Sequence, residues 1–208
     1  MVNYPRATYR YRKALKLNQL QKDIVVGSLL GSSTMETSRN FLCSVKFEQR
    51  FKNRVYTSHL YNTLKEWCYT EPHLHLETNR CKYSRTSYYF QTFKHFAYFR
   101  YYNGFYEFGD KIVPLFIHRW VTPRALAYWF MDSGERHQNS YMFHLHHFSN
   151  LQDHKMLIDL LKHMFWIDAE IYIDANKGWY KLRLSDESAP KFISIIKPYV
   201  IPCMYYKI

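Results

Sequence analysis

Two short segments end on residues that could do chemistry. "ALAYWFMDSGE" (125–135) reads as an apolar helix stopping at Gly134, with Asp132 and Ser133 in its last turn and Glu135 just beyond. "VVGSLLGSS" (25–33) stops in the same manner at Ser32 and Ser33. A carboxylate at such a helix end could ligate a divalent cation, whereas a neutral serine hydroxyl is a weak ligand for magnesium. The segments therefore read either as a metal site lacking ligands or as ordinary helix ends.

Other candidates are weaker. His144, His146 and His147 crowd into "FHLHHF", but no cysteine or acidic cluster lies at zinc-ligand spacing, so core or surface histidines are expected. "GSSTMETS" (31–38) lacks the lysine of a phosphate-binding loop. No metal and no cofactor is expected.

Composition points to a polyanionic partner. Lys and Arg number 29 against 17 acids, a net charge of +12 over 208 residues. Hydrophobic residues make up 47% and aromatics 19%, enough for a core of one sizeable domain or two packed halves. The 20 tyrosines and 15 phenylalanines fit either base-stacking surfaces or an AT-rich coding genome. No run of 18 apolar residues occurs, so no bilayer-spanning helix and no membrane partner are expected, and no signal peptide is visible. Cys43, Cys68, Cys81 and Cys203 are scattered without CxxC spacing, which suits a reducing compartment.

Residues 1–22 carry Arg6, Arg10, Arg12, Lys13, Lys16 and Lys22 and no acid. Residues 1–12 read as a solvated, partly disordered terminus, or the stretch reads as a basic arm whose Tyr4, Tyr9 and Tyr11 stack on bases. The stretch has the acid-free, Arg-containing character of a mitochondrial targeting segment, though it has no serine.

From Asp23, a candidate N-cap, a short apolar helix is expected. Gly27 and Gly31 lie four apart on one face of it. Each costs about 1 kcal/mol relative to alanine in a helix, a cost that close approach of a second helix would offset. The partner is the helix from Pro123 to Ser133, which has Thr122 at its N-cap, Pro123 at N1 and Ala127 on the contact face. Strands are predicted over 41–51 and 140–148. Helices are predicted over 54–67, with Val55, Leu60, Leu64 and Trp67 inward, and over 151–166. A hairpin is expected about "ANKG" (strands 170–174 and 178–185), a weaker one over roughly 73–93, and a last helix from about Glu187 to Ile196. The pattern is an internal duplication: a basic arm (1–22), a first repeat (23–108), a linker (109–122) and a second repeat (123–208).

With these pieces in order, the chain resembles the LAGLIDADG homing endonucleases, and most closely their single-chain, intron-encoded mitochondrial members. "VVGSLLGSS" and "ALAYWFMDSG" resemble the first and second signatures, "QTFKHFAYFRYY" (91–102) the exit from the first half-sheet, and "IIKPYVIPCMYYKI" (195–208) the closing helix and tail. The resemblance covers most of residues 20–208. It implies an α+β fold of two αββαββα-type halves related by a pseudo-twofold axis, a monomeric pseudo-dimer whose sheets form a β-saddle. In the family each signature helix delivers one aspartate that holds magnesium between the scissile phosphates. The matching positions here are Ser32 and Ser133.

No neighbour replaces those carboxylates readily. Asp132 is rotated about 100° from Ser133, so its side chain is expected to point elsewhere. Asp23 lies about 13 Å up the first helix. Glu36 and Glu135 follow the helices and are the remaining stand-ins. Lys111 and Lys207 fall near places where active relatives keep pocket lysines, which could still bind phosphate. Strand faces offer Lys46, Arg50 and Lys52, then Arg80 and Lys82, then His144 and His146, then Lys181 and Arg183. Each one alone fits a solvated surface, but together they fit a nucleic-acid face.

The expectation is a non-catalytic protein on the endonuclease scaffold that binds RNA, most of all rRNA in a mitochondrial ribosome beside other ribosomal proteins. An intron RNA maturase stands second. Rival readings are an endonuclease with altered ligands and a decayed or engineered enzyme that still binds DNA.

Overall fold

A computed structural model describes residues 6–38, 40–78, 84–173 and 179–208. Arg80, Lys82, Tyr4 and the turn at "ANKG" lie outside them, and so do the side chains of Arg6 and Tyr9. By packing, the chain falls into two compact units: Met1–Lys22 with Thr34–Tyr102, and Asp23–Ser33 with Asn103–Ile208. The first signature segment thus packs with the C-terminal part of the chain.

The N-terminal segment forms a helix, α1 (Arg6–Ala14). Next comes α2 (Gln19–Leu30), which starts five residues earlier than expected. Its cap is Asn18: the Asn18 Oδ1 accepts from the Gln21 amide at 2.9 Å, and the Gln21 Oε1 accepts from the Asn18 amide at 3.1 Å. That reciprocal box outcompetes Asp23, which lies inside the helix, 2% exposed, with Arg124 at 3.5 Å.

The first unit continues with β1 (Thr34–Thr37), β2 (Cys43–Arg50), α3 (Arg54–Leu64), β3 (His73–Thr78) and β4 (Ser84–Gln91). Its sheet is antiparallel in the order β1-β2-β4-β3. The expected strand over 41–51 and hairpin near 73–93 are present; β1 was not foreseen. Phe47 stands opposite Phe90 in the register, their rings stacked at 4.8 Å. On α3 the inward face is Tyr56, Thr57, Leu60, Tyr61 and Leu64, while Val55 is 56% exposed. Tyr56, one position on, has the i, i+4, i+8 spacing with Leu60 and Leu64 that Val55 lacks.

After α4 (Phe99–Phe105) comes a small hairpin, β5 (Tyr106–Glu107) and β6 (Asp110–Lys111). Phe108 and Gly109 turn it with φ of 50° and 94°, as a tight two-residue hairpin requires. The second unit then repeats the first: α5 (Pro123–Ser133), β7 (Gly134–His137), β8 (Ser140–His144), α6 (Leu151–Phe165), β9 (Ala169–Ile173) and β10 (Tyr180–Leu184), closed by α7 (Ala189–Ile196). Its sheet order, β7-β8-β10-β9, matches that of the first unit position for position. Trp129 and Phe143 (4.3 Å between ring centroids) and Phe130 and Phe192 (5.1 Å) tie α5 to its sheet and to α7. No described helix is long and apolar enough to cross a membrane.

The candidate helix-tip site and the basic faces

The tips of α2 and α5 meet within the second unit. α5 begins as expected, the Thr122 hydroxyl accepting from the Ala125 amide at 3.1 Å with Pro123 in the first turn. A Cβ on Gly27 would lie 2.4 Å from the Ala125 carbonyl oxygen and 2.7 Å from the Tyr128 Cβ. Gly27 therefore faces Ala125 and Tyr128 rather than Ala127, and it brings the backbones together. Gly31 has a different neighbour: a Cβ there would sit 2.3 Å from an Asp132 carboxylate oxygen.

Asp132 does not point away. Its Oδ1 accepts from the Ser32 hydroxyl at 2.8 Å and its Oδ2 from the Ser32 amide at 2.9 Å. The rotation that takes it off the position of Ser133 aims it at the neighbouring tip, where glycine at position 31 leaves room. Burial raises its pKa, opposed by the two Ser32 hydrogen bonds and by Lys207 and Lys111. Ser133 turns inward, its hydroxyl donating to the Trp129 carbonyl at 3.3 Å.

Each tip also carries one ammonium group. Lys111 donates to the carbonyls of Gly31 (2.8 Å) and Ser33 (2.9 Å) beyond the end of α2. Lys207 donates to Met131 (2.7 Å) and Gly134 (2.8 Å) at the end of α5. Cations here satisfy orphan carbonyls and complement the helix dipole. The β5–β6 hairpin positions Lys111, helped by the Val113 amide on the Asp153 carboxylate at 3.0 Å. A final 3-10 turn, Pro202–Lys207, positions the other lysine. Both were expected among the nucleic-acid-binding residues; in the structure each ammonium donates to carbonyls at a helix end.

Burial pulls the Lys111 ammonium down to about 7, against the attraction of Asp132. The unfolded chain keeps that proton up to about pH 10.4. Between those values the unfolded state binds more protons, so stability rises with pH, by at most about 1.4 kcal/mol per pH unit. Denaturant titrations between about pH 7 and 9 should show this slope, and Lys111→Met should flatten it while lowering stability overall. Equal slopes in the two proteins would reject the assignment.

The strand cations are largely engaged. Lys46 pairs with Glu48 at 2.6 Å. Burial works against the Glu48 charge, but hydrogen bonds from Lys46, Ser87 and His75 prevail and hold it at about 2. Lys181 pairs with Glu135 at 2.9 Å, and His144 approaches the same carboxylate at 3.3 Å. Arg183 reaches Asp186 at 3.4 Å and Glu170 at 3.7 Å. Glu135 is thus committed to its sheet, and Glu36 lies exposed on β1. Arg10, Lys13, Arg50 and Lys52 are exposed. Arg12 lies over the Tyr69 ring, 4.4 Å from its centroid, and the Tyr11 hydroxyl donates to Glu66 at 3.4 Å, so this end of the arm is docked on the first unit. His146 packs 3.8 Å from His147 and stacks on Trp179 at 5.6 Å. Among the described residues no three His, Cys, Asp or Glu converge on a metal position. Sequence reasoning missed the Asp132–Ser32 bridge and the pairing of strand cations with Glu48, Glu135 and Glu170. The Lys46-x-Glu48 spacing, two residues apart on one strand face, was the one signal available for the latter.

Comparisons with known proteins agree with this architecture. Residues 22–192 match the sequence profile of the LAGLIDADG DNA endonuclease family. A probable intron-encoded endonuclease 1 of Wickerhamomyces canadensis is 27% identical over 92% of this chain and 85% of its own length. The cytochrome b mRNA maturase bI2 of Debaryomyces hansenii is 24% identical over 92% of this chain and 74% of its own. The structure of the homing endonuclease I-WcaI bound to its DNA recognition sequence superposes with a TM-score of 0.88 at 24% identity, covering 100% of this chain and 94% of that one. The fold is that of the LAGLIDADG homing endonucleases.

Proposed function

The chain belongs to the LAGLIDADG DNA endonuclease family, and from that premise we propose that it binds nucleic acid without cleaving it, as an rRNA-binding component of a mitochondrial ribosome. One observation carries the loss of cleavage: the helix tips present one carboxylate, tied on both oxygens by Ser32, beside two ammonium groups. Magnesium requires an octahedral oxygen shell containing anionic ligands. A single buried aspartate with both oxygens already taken by Ser32 offers too little anionic oxygen for a divalent ion, so this donor set does not fit the family's metal.

Support for RNA comes from the chain's net charge of +12 and its acid-free N-terminal stretch. The mitochondrial setting rests on the resemblance to intron-encoded mitochondrial members. A second reading, intron maturase, is favoured by the similarity to the cytochrome b mRNA maturase bI2. Its mark would be selective binding of one intron and stalled excision when the protein is lost.

The test is sedimentation of tagged protein from mitochondrial lysate through a high-salt gradient. Co-migration with one ribosomal subunit is expected. Recovery only in free fractions would remove the ribosomal reading, and nicking of bound duplex in magnesium or manganese would remove the non-cleaving one.

A further inference from the structure

The first unit holds a cavity of about 630 Å³ between the end of α1 and residues 93–97. That volume falls in the range of ordinary ligand sites. Its floor is apolar, formed by Phe93 (5% exposed) and Leu42. The rings of Tyr69 and Phe96 line it while remaining 55% and 62% exposed. Arg12 lies over Tyr69 and is 5.5 Å from the Phe93 ring. Lys13, Lys16 and Lys94 stand exposed on the rim, and no acidic residue lines the cavity.

Each half of this surface has an ordinary explanation alone: an apolar hollow between elements, and solvated lysines. Together they are selective. An apolar ligand would use the floor and leave the cations idle, and a duplex backbone would use the cations and leave the rings idle. A single-stranded nucleotide uses both, since its base offers a π-face to an aromatic ring while its phosphates meet lysines.

We propose that this cavity receives an unstacked nucleobase of single-stranded RNA, with the flanking phosphates on Lys13, Lys16 and Lys94. The inference rests on the RNA-binding reading above and adds a place and a mode to it. It also explains why α1 is docked: Arg12 on Tyr69 holds Lys13 and Lys16 at the rim.

The test uses the full chain and a single-stranded oligoribonucleotide carrying 4-thiouridine, read by anisotropy titration and by mapping photocrosslinks. Crosslinks are expected on Tyr69 or on residues 93–97. Phe96→Ala, at an exposed ring the core does not need, should weaken binding roughly tenfold, in keeping with loss of one base stack. The double variant Lys13→Glu, Lys94→Glu should reduce the slope of log affinity against log salt by about 1.4, two phosphate contacts on a single strand. If wild type binds but neither variant changes the titration and crosslinks fall elsewhere, the cavity proposal is overturned while RNA binding stands. If wild type binds no RNA at all, both fall. Crosslinks in the cavity without ribosomal co-sedimentation would keep this site and discard only the ribosomal assignment.

Discussion

Gly27→Ala should unfold at a markedly lower temperature than the wild type, despite improving helix propensity. Alanine at this position gains about 1 kcal/mol as a helix residue. Against that stands a methyl group 2.4 Å from the Ala125 carbonyl oxygen, 2.7 Å from the Tyr128 Cβ and 2.9 Å from the Trp129 amide nitrogen. Two of these atoms are backbone, so no side-chain rotation relieves the clash; α2 and α5 must separate. Overpacking of this kind costs typically 1–3 kcal/mol and more where helices are forced apart. With about 3 kcal/mol lost against about 1 kcal/mol gained, a net loss of about 2 kcal/mol corresponds to a Tm drop of roughly 4–8 °C for a chain of this size. A thermal melt decides it: an unchanged or raised Tm would mean that the helices do not approach as described.

Ser32→Asp should destabilise the protein near neutral pH. The Ser32 hydroxyl lies 2.8 Å from Asp132, whose carboxylate is 8% exposed. A carboxylate at half-buried position 32 so close to the buried Asp132 strongly disfavours ionisation of both at neutral pH, at a cost of up to about 3 kcal/mol. Lys111 and Lys207 offset part of it. The pair's upper pKa is raised in the folded state, so the variant should be most stable below the ordinary carboxylate pKa of about 4 and lose stability as pH rises from there through the raised value. Adding Asp132→Asn removes one charge and should recover most of the loss, whereas Ser32→Asn alone should show no comparable pH dependence. A Ser32→Asp protein as stable as Ser32→Asn at neutral pH would refute the bridge.

Much of the scaffold was legible because it is written in local patterns. The strand at 43–50, the helix capped by Thr122 and the hairpins near 73–91 and 169–184 follow from alternation, capping chemistry and turn residues. Misreadings arose where two local signals competed. Asn18 with Gln21 made a better cap than Asp23, and Tyr56 rather than Val55 set the inward face of α3. β1 and β7 are short polar strands whose reason to be strands is a partner: Met35 opposite Val45, Gly134 opposite Phe143.

The site was half legible. Residue identity alone determined that Ser32 and Ser133 carry no charge, that the chain is strongly basic, and that Gly27 invites a close neighbour. Tertiary structure decided where the charges go. Asp132 crosses to Ser32, Lys111 and Lys207 turn back on helix-end carbonyls, and Glu48, Glu135 and Glu170 take up strand cations that looked free. The physical reason is that a charge chooses its partner through distance and burial, and both are properties of segments far apart in sequence brought within about 3 Å, where desolvation makes each pairing nearly obligatory.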